Sequence, residues 1–157
     1  MTTYMEFVKL VYLLLLVAPV SIFIHEFGHA IAAWLIGADR IYISIGVGKK
    51  GKTVIVGKVH MIIYPLFFLG GVATSEKQPC YTRLEIIFIS IFGPFVSGVV
   101  VIICWFFYQM NANSLIQLFL LFNAWLSIIN LIPFRYQGKR TDGYVVFNLL
   151  LKQIKGN

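Results

Sequence analysis

Three long apolar stretches dominate the chain, and shorter, more polar segments separate them. Residues 7–36, 84–108 and 114–132 are almost entirely apolar. As α-helices, all three are about long enough to cross a hydrocarbon layer of about 30 Å. The chain is 59% hydrophobic and 12% charged, with a mean hydropathy of +0.85, which excludes an ordinary soluble domain. We predict an α-helical integral membrane protein, a single domain over residues 1–157 with three core transmembrane helices.

The segment between the first two helices, residues 41–73, has a different pattern. Residues 41–47 alternate like a strand, and a lysine-rich turn separates them from a second β-rich run at 53–64. We expect these two runs to pair as a β-hairpin. The apolar residues that follow are too few to span a membrane and contain Gly70 and Gly71, so we expect a re-entrant Gly-Gly loop there. A short tail helix is expected over residues 141–155.

The charges favour one orientation in a membrane. The net charge is +7, with seven Lys or Arg residues in 39–83, five in 134–157 and none between the second and third apolar stretches. By the positive-inside rule both basic segments face the cytoplasm. This clustering explains the basic character without a nucleic-acid partner. We expect a multi-pass protein in a lipid bilayer, in keeping with a bacterial plasma membrane. The pattern does not indicate its oligomeric state.

The chemistry lies in one motif, His25-Glu26-Phe27-Gly28-His29, inside the first apolar stretch. Residues four apart share a helix face, so His25 and His29 can present two imidazoles to one metal ion. Glu26 would act as general base and then as general acid on a nucleophilic water. Ionisable groups at bilayer depth are costly, which favours a Zn²⁺ site over a cluster of satisfied polar side chains.

A catalytic zinc ion needs a third protein ligand, and the residues leave several candidates. Asp142 is the strongest, because it starts a helix just after the third span returns to the side of the motif. Glu76 and His60 remain alternatives, and Asp142 has a second possible role as a helix cap. His60 would lie in a strand, where a lone histidine is more often a packing residue, so we leave it out of the catalytic set.

The order of motifs resembles the site-2 protease family of intramembrane zinc metalloproteases. The first element is HExxH at residues 25–29. The others are a Gly-Gly segment at 66–71, a Gly-Pro pair at 93–94 and an NxxP…DG element formed by Asn130, Pro133, Asp142 and Gly143. The resemblance implies that His25, His29 and Asp142 are zinc ligands and that Asn130, Gly70 and Gly71 bind substrate. Two departures are the nine-residue step from Pro133 to Asp142, longer than the family pattern, and Ser97 where the family often has Asn.

Two functions from different classes follow. The first is a compact intramembrane zinc endopeptidase that hydrolyses a transmembrane or membrane-associated peptide, with the strand edge of the hairpin holding the unwound substrate. The second is a catalytically idle membrane protein of the same fold that binds a hydrophobic peptide, as an immunity or export accessory. The intact Glu26 favours the first, because a pure binder needs no base.

Overall fold

Five helices carry most of the chain in the computed structural model, which describes residues 2–136 and 138–155. A nearly continuous first helix comprises α1 (Thr2–Tyr12), a π-turn (Leu13–Val17) and α2 (Ala18–Leu35). The π-turn lies just before Pro19, whose missing N–H removes one backbone hydrogen bond from the helix. The other helices are α3 (Arg83–Met110), α4 (Ser114–Leu131) and α5 (Asp142–Lys155).

Three of these helical stretches are long and apolar enough to cross a membrane. They are Tyr4–Leu35, Arg83–Met110 and Ser114–Leu131. This confirms the prediction of three such helices from the apolar pattern alone. Many of their large apolar side chains are exposed, among them Phe95, Phe106 and Ile128. Such a surface is unusual for a protein surrounded by water.

A four-stranded sheet follows α2 and precedes α3 along the chain, and it packs against α2. Its strands are β1 (Arg40–Val47), β2 (Lys52–Val56), β3 (Val59–Ile63) and β4 (Leu66–Glu76), in the order β2-β3-β1-β4. Alternate residues of β1, namely Ile41, Ile43 and Ile45, are buried and join the core formed with α2 and α4. β4 is the edge strand at one side of the sheet. A small second sheet pairs β5 (Arg135–Tyr136) with β6 (Lys139–Arg140).

The expected hairpin between residues 41–47 and 53–64 is wrong in its pairing. The second run divides at Gly57, which has a φ of 58°, into β2 and β3, and these two strands form the hairpin. β1 pairs in parallel with β3 and antiparallel with β4. Glycine adopts a positive φ without strain, so one residue inside an otherwise strand-like run is enough to reverse the chain.

The expected re-entrant loop at residues 64–73 is also wrong, because most of this segment is the edge strand β4. Gly70 and Gly71 lie within the strand, where the register with β1 shifts between Ile45 and Val47. The absence of charges in the segment suggested membrane depth. A strand that packs against helix α2 needs the same apolar character.

Candidate metal centre and active site

His25 and His29 lie on one face of α2 and are buried, with 4% and 8% of their surfaces exposed. Helix α3 comes close to this face because Gly93 has no side chain. A Cβ atom at Gly93 would overlap the ring of His29. The Gly-Pro pair of α3 therefore leaves the space that the second imidazole occupies.

Three side chains, those of His25, His29 and Asp142, form a group that we call the ligand triangle, and their potential ligand atoms lie within 4.8 Å of one another. His25 Nε2 lies 3.3 Å from Asp142 Oδ2 and 3.3 Å from His29 Nε2, and His29 Nε2 lies 3.4 Å from Asp142 Oδ1. Ligands about 2.0–2.1 Å from a tetrahedral ion are about 3.3–3.4 Å from one another. Two imidazoles and one carboxylate at this spacing fit a zinc ion.

The far nitrogen of each ring is held by a second group. His29 Nδ1 lies 2.7 Å from the carbonyl oxygen of Ile89, so Nδ1 carries the proton and donates it. Its Nε2 is then left with a lone pair when the ring is neutral. His25 Nδ1 is 3.1 Å from the Oγ of Ser97, which is completely buried. Both rings are thus oriented with Nε2 towards Asp142.

Asp142 is the first residue of α5, and its neighbours fix its position. Thr141 Oγ1 accepts a hydrogen bond from Tyr144 N and donates one to the carbonyl oxygen of Ile132. Thr141 therefore caps α5, and the Asp142 carboxylate is directed at the histidines instead. Burial raises the pKa of the Asp142 carboxyl, but the adjacent imidazoles of His25 and His29 outweigh this and hold the pKa below its usual value.

Glu26 is buried beside these residues, with 9% of its surface exposed. Gly71 of β4 lies against it: a Cβ atom at Gly71 would be 2.9 Å from Glu26 Cγ and 2.8 Å from Ile22 Cγ2. The edge strand can approach the Glu26 carboxylate this closely only because residue 71 is a glycine.

Two cavities meet at Glu26. One, of about 530 Å³, contains the three candidate ligands and is bordered by β4, α5 and the β5–β6 hairpin. The other, of about 520 Å³, is more apolar and lies between α2, β4 and α4. His25, Glu26, Gly71 and Asn130 line both cavities. Glu26 therefore borders both cavities, beside Gly71 of the edge strand.

The remaining sequence-predicted residues have different positions. Asn130 borders both cavities, and its side-chain amide donates to Leu126 O at 2.9 Å within α4. Gly70 borders only the apolar cavity. His60 lies on β3 against Tyr42, with ring centroids 5.1 Å apart, and lines neither cavity. Glu76, the other alternative ligand, is at the far end of β4, opposite Arg40.

Ser97 and the carbonyl of Ile89 are contributors whose roles sequence reasoning missed. Ser97 had drawn attention only as a small residue for helix contact and as a departure from the family pattern. A usable signal was present, because Ser97 follows Gly93 by four residues and therefore shares its helix face. The Ile89 carbonyl leaves no sequence signal, since every residue has one.

Comparison with family models matches residues 2–76 to the family described as Peptidase M50B-like. The matched region includes HExxH and the sheet up to the end of β4. A comparison with curated proteins finds no match. Peptidases of the M50 family are in general zinc metalloproteases, and the His25, His29 and Asp142 group could hold a metal ion. The match supports the membership of this chain in the site-2 protease family.

Proposed function

We propose that the protein is an intramembrane zinc endopeptidase that hydrolyses a peptide bond in a transmembrane or membrane-associated peptide. The observation that carries this proposal is the ligand triangle of His25, His29 and Asp142 beside a buried Glu26, where two cavities meet. A purely structural polar cluster needs neither the open space nor a carboxylate outside the triangle. The peptidase family match points to the same chemistry.

In this proposal His25, His29 and Asp142 hold the zinc ion. Bound zinc supplies Lewis acidity, which polarises a peptide carbonyl and makes a water molecule acidic near neutral pH. Glu26 takes a proton from the attacking water and passes it to the leaving amine. Burial of Glu26 strengthens its interaction with that proton and shields the reaction from bulk solvent. The Ile89 carbonyl keeps His29 in the ligand tautomer, and Ser97 orients the ring of His25.

The edge strand β4 is the proposed docking element for the substrate. Hydrolysis requires an extended backbone, because the carbonyls of a helix are already hydrogen-bonded. Residues Gly71, Val72 and Ala73 of β4 line the cavity with Glu26, and an added strand could pair with their backbone. This replaces the hairpin edge expected from the sequence, since β1 and β3 are interior strands and β2 is at the opposite edge.

Three further residues are proposed to bind the substrate. Gly71 lets the substrate backbone approach Glu26, and Gly70, at a φ of 110°, shapes the strand next to the apolar cavity. Asn130 borders both cavities and offers an amide to the substrate backbone. The apolar cavity would hold a side chain next to the scissile bond.

The membrane setting is part of the proposal. The three long helices cross the bilayer, and the basic segments at 39–83 and 134–157 face the cytoplasm of a bacterial cell. His29 and His25 precede the end of α2 by six and ten residues. At about 1.5 Å per residue, the site then lies about 9–15 Å below the cytoplasmic end of that helix.

The test compares wild type with Glu26→Gln. We expect the variant to bind zinc and unfold thermally like wild type while losing cleavage of a membrane-anchored reporter by at least about 100-fold, as for removal of a general base. Zinc is measured by elemental analysis of detergent-purified protein, and cleavage by gel. Equal cleavage by the variant would refute the peptidase mechanism. Zinc-free protein that still binds hydrophobic peptide would favour the idle binder.

A further inference from the structure

The β5–β6 hairpin places three basic residues at the rim of the site. Arg135, Lys139 and Arg140 are all exposed, and they occupy the insertion between Pro133 and Asp142. Lys139 and Arg140 line the cavity that contains Glu26 and the ligand triangle. The hairpin is thus a wall of the site as well as a connection between α4 and α5.

Among the described residues, the acidic side chains have neighbours other than these three basic residues. Four of the six acidic residues have other neighbours: Glu6 pairs with Lys9, Glu85 with Lys77, Asp39 accepts from Gln78 N, and Glu76 lies opposite Arg40. The remaining two, Glu26 and Asp142, belong to the site, where a divalent zinc ion would balance their two negative charges. Within residues 2–136 and 138–155, no carboxylate therefore forms a salt bridge with the three basic side chains of the hairpin.

The strand pairing of the hairpin brings its positive charges still closer together. Arg135 and Arg140 are directly opposite each other across the two strands, an arrangement in which like charges repel. The hairpin is nonetheless anchored, because Thr141 N donates to the carbonyl oxygen of Phe134 and the Arg140 guanidinium lies 5.8 Å from the ring centroid of Tyr144. A bound anion would relieve the repulsion.

We propose that the hairpin selects peptide substrates that carry a carboxylate close to the scissile bond. The carboxylate belongs to the part of the peptide that occupies the hairpin-lined cavity. This inference rests on the proposed function in taking a peptide as the ligand. Lys139 and Arg140 bind the carboxylate while Glu26 faces the bond to be cut. Because both basic residues line the same cavity as Glu26, the anion is bound inside the site rather than on the lipid-facing surface.

The experiment measures binding, so that it does not depend on catalysis. Glu26→Gln protein in detergent is titrated into fluorescent peptides. The first peptide has an apolar half followed by a half made of Glu residues, and the matched peptide has Gln residues in place of the Glu residues. Both have amidated C-termini, and a third peptide has Gln residues and a free C-terminal carboxylate. The variants are Lys139→Gln/Arg140→Gln and, as a control of equal charge change, Lys49→Gln/Lys50→Gln in the exposed β1–β2 turn.

We expect the Glu peptide to bind about tenfold more tightly than the amidated Gln peptide, as for one charge-assisted contact. That preference should disappear in Lys139→Gln/Arg140→Gln, persist in Lys49→Gln/Lys50→Gln and shrink at high salt. Tighter binding of only the free-acid Gln peptide would identify the C-terminal carboxylate as the source. Equal binding of all three peptides, or loss of the preference in both double variants, would overturn the proposal.

An anionic lipid surface is the competing ligand for basic residues near a membrane, and the same variants separate it. If the hairpin bound lipid phosphate, Lys139→Gln/Arg140→Gln would weaken binding of the protein to phosphatidylglycerol in nanodiscs. The protein without these two substitutions would then bind all three peptides equally. That result would overturn the inference. Failure of the hydrolysis test with Glu26→Gln, by contrast, would leave a measured peptide preference standing.

Discussion

At the scale of single residues, the site depends on which nitrogen of each histidine is available. Ser97 and the Ile89 carbonyl hold the Nδ1 atoms, so the Nε2 atoms converge on Asp142. This makes Asp142 the residue that completes the donor set. If Asp142 is a ligand, zinc affinity must depend on the charge of its side chain.

Asp142→Asn should weaken zinc binding by at least about tenfold. A loss of that size is expected even when the lost group only hydrogen-bonds to a metal ligand, so the loss of a ligand itself should not be smaller. The amide keeps the size of the carboxylate but removes its charge. Zinc affinity is measured by competition with a chelating dye. Asp39→Asn is the matched control, because Asp39 is exposed and accepts only from Gln78 N among the described contacts. Unchanged affinity in Asp142→Asn would exclude Asp142 as ligand.

Gly71→Ala should reduce cleavage by about 100-fold without lowering zinc content. The added Cβ would lie 2.8 Å from Ile22 Cγ2 and 2.9 Å from Glu26 Cγ, so the base must move, and a misplacement of about 1 Å costs about that factor. Gly98→Ala is the control, since its Cβ would meet only Ser127 Oγ, at an ordinary 3.5 Å. Full activity in Gly71→Ala would show that β4 does not position Glu26.

At the scale of elements, the close contact of α4 with α5 delivers Asp142 to the histidines. Gly143 packs against the end of α4, and a Cβ atom there would overlap the carbonyl oxygen of Leu131. The NxxP…DG element thus has a steric reason for its glycine. The long insertion before Asp142 is accommodated by the β5–β6 hairpin, so the spacing differs from the family pattern while the carboxylate still reaches the cluster.

Gly143→Ala is expected to displace the start of α5 and with it Asp142. We expect a loss of about 1–3 kcal/mol in the free energy of unfolding, as for an overpacked contact, together with weaker zinc binding. Thermal unfolding with and without zinc measures both, and Gly98→Ala again serves as the control. If Gly143→Ala lowered the free energy of unfolding but left zinc affinity unchanged, the start of α5 could shift without displacing Asp142. That result would contradict the proposed role of Gly143.

Sequence reasoning succeeded with local features and failed with pairing between distant segments. The helices follow from long apolar runs, and HExxH places two histidines on one face within a single turn of α2. The order of the sheet does not follow, because β1 pairs with β3 and β4 rather than with the next strand. The contact of Ser97 with His25 joins residues 72 positions apart, and only the packing of α3 on α2 reveals it.

At the scale of the whole molecule, the structure must reconcile a buried polar site with an apolar exterior. The three long helices expose large apolar side chains, whereas the site opens through a cavity whose rim includes Lys139 and Arg140. If the basic segments face the cytoplasm, this cavity also gives water a route to Glu26 from that side. The position of the basic segments relative to the bilayer therefore determines from which side water and substrate reach the site.

The orientation can be tested with single cysteines in a Cys80→Ser/Cys104→Ser background. Lys50→Cys in the β1–β2 turn and Lys152→Cys in α5 should react with a membrane-impermeant maleimide only after bacterial cells are permeabilised. Ala112→Cys, in the uncharged turn between α3 and α4, should react in intact cells. The reason is that α3, at 28 residues and about 42 Å, is long enough to bring its two ends to opposite surfaces.

Labelling of positions 50 and 112 from the same side would contradict α3 as a membrane span. Labelling of positions 50 and 152 from opposite sides would place α5 across the membrane from the β1–β2 turn. That result would conflict with the proposed topology, in which α3 and α4 both cross the bilayer and return the chain to the side of the β1–β2 turn before α5 begins. We therefore expect both segments on the same side of the membrane, the arrangement that also brings Asp142 to the histidines.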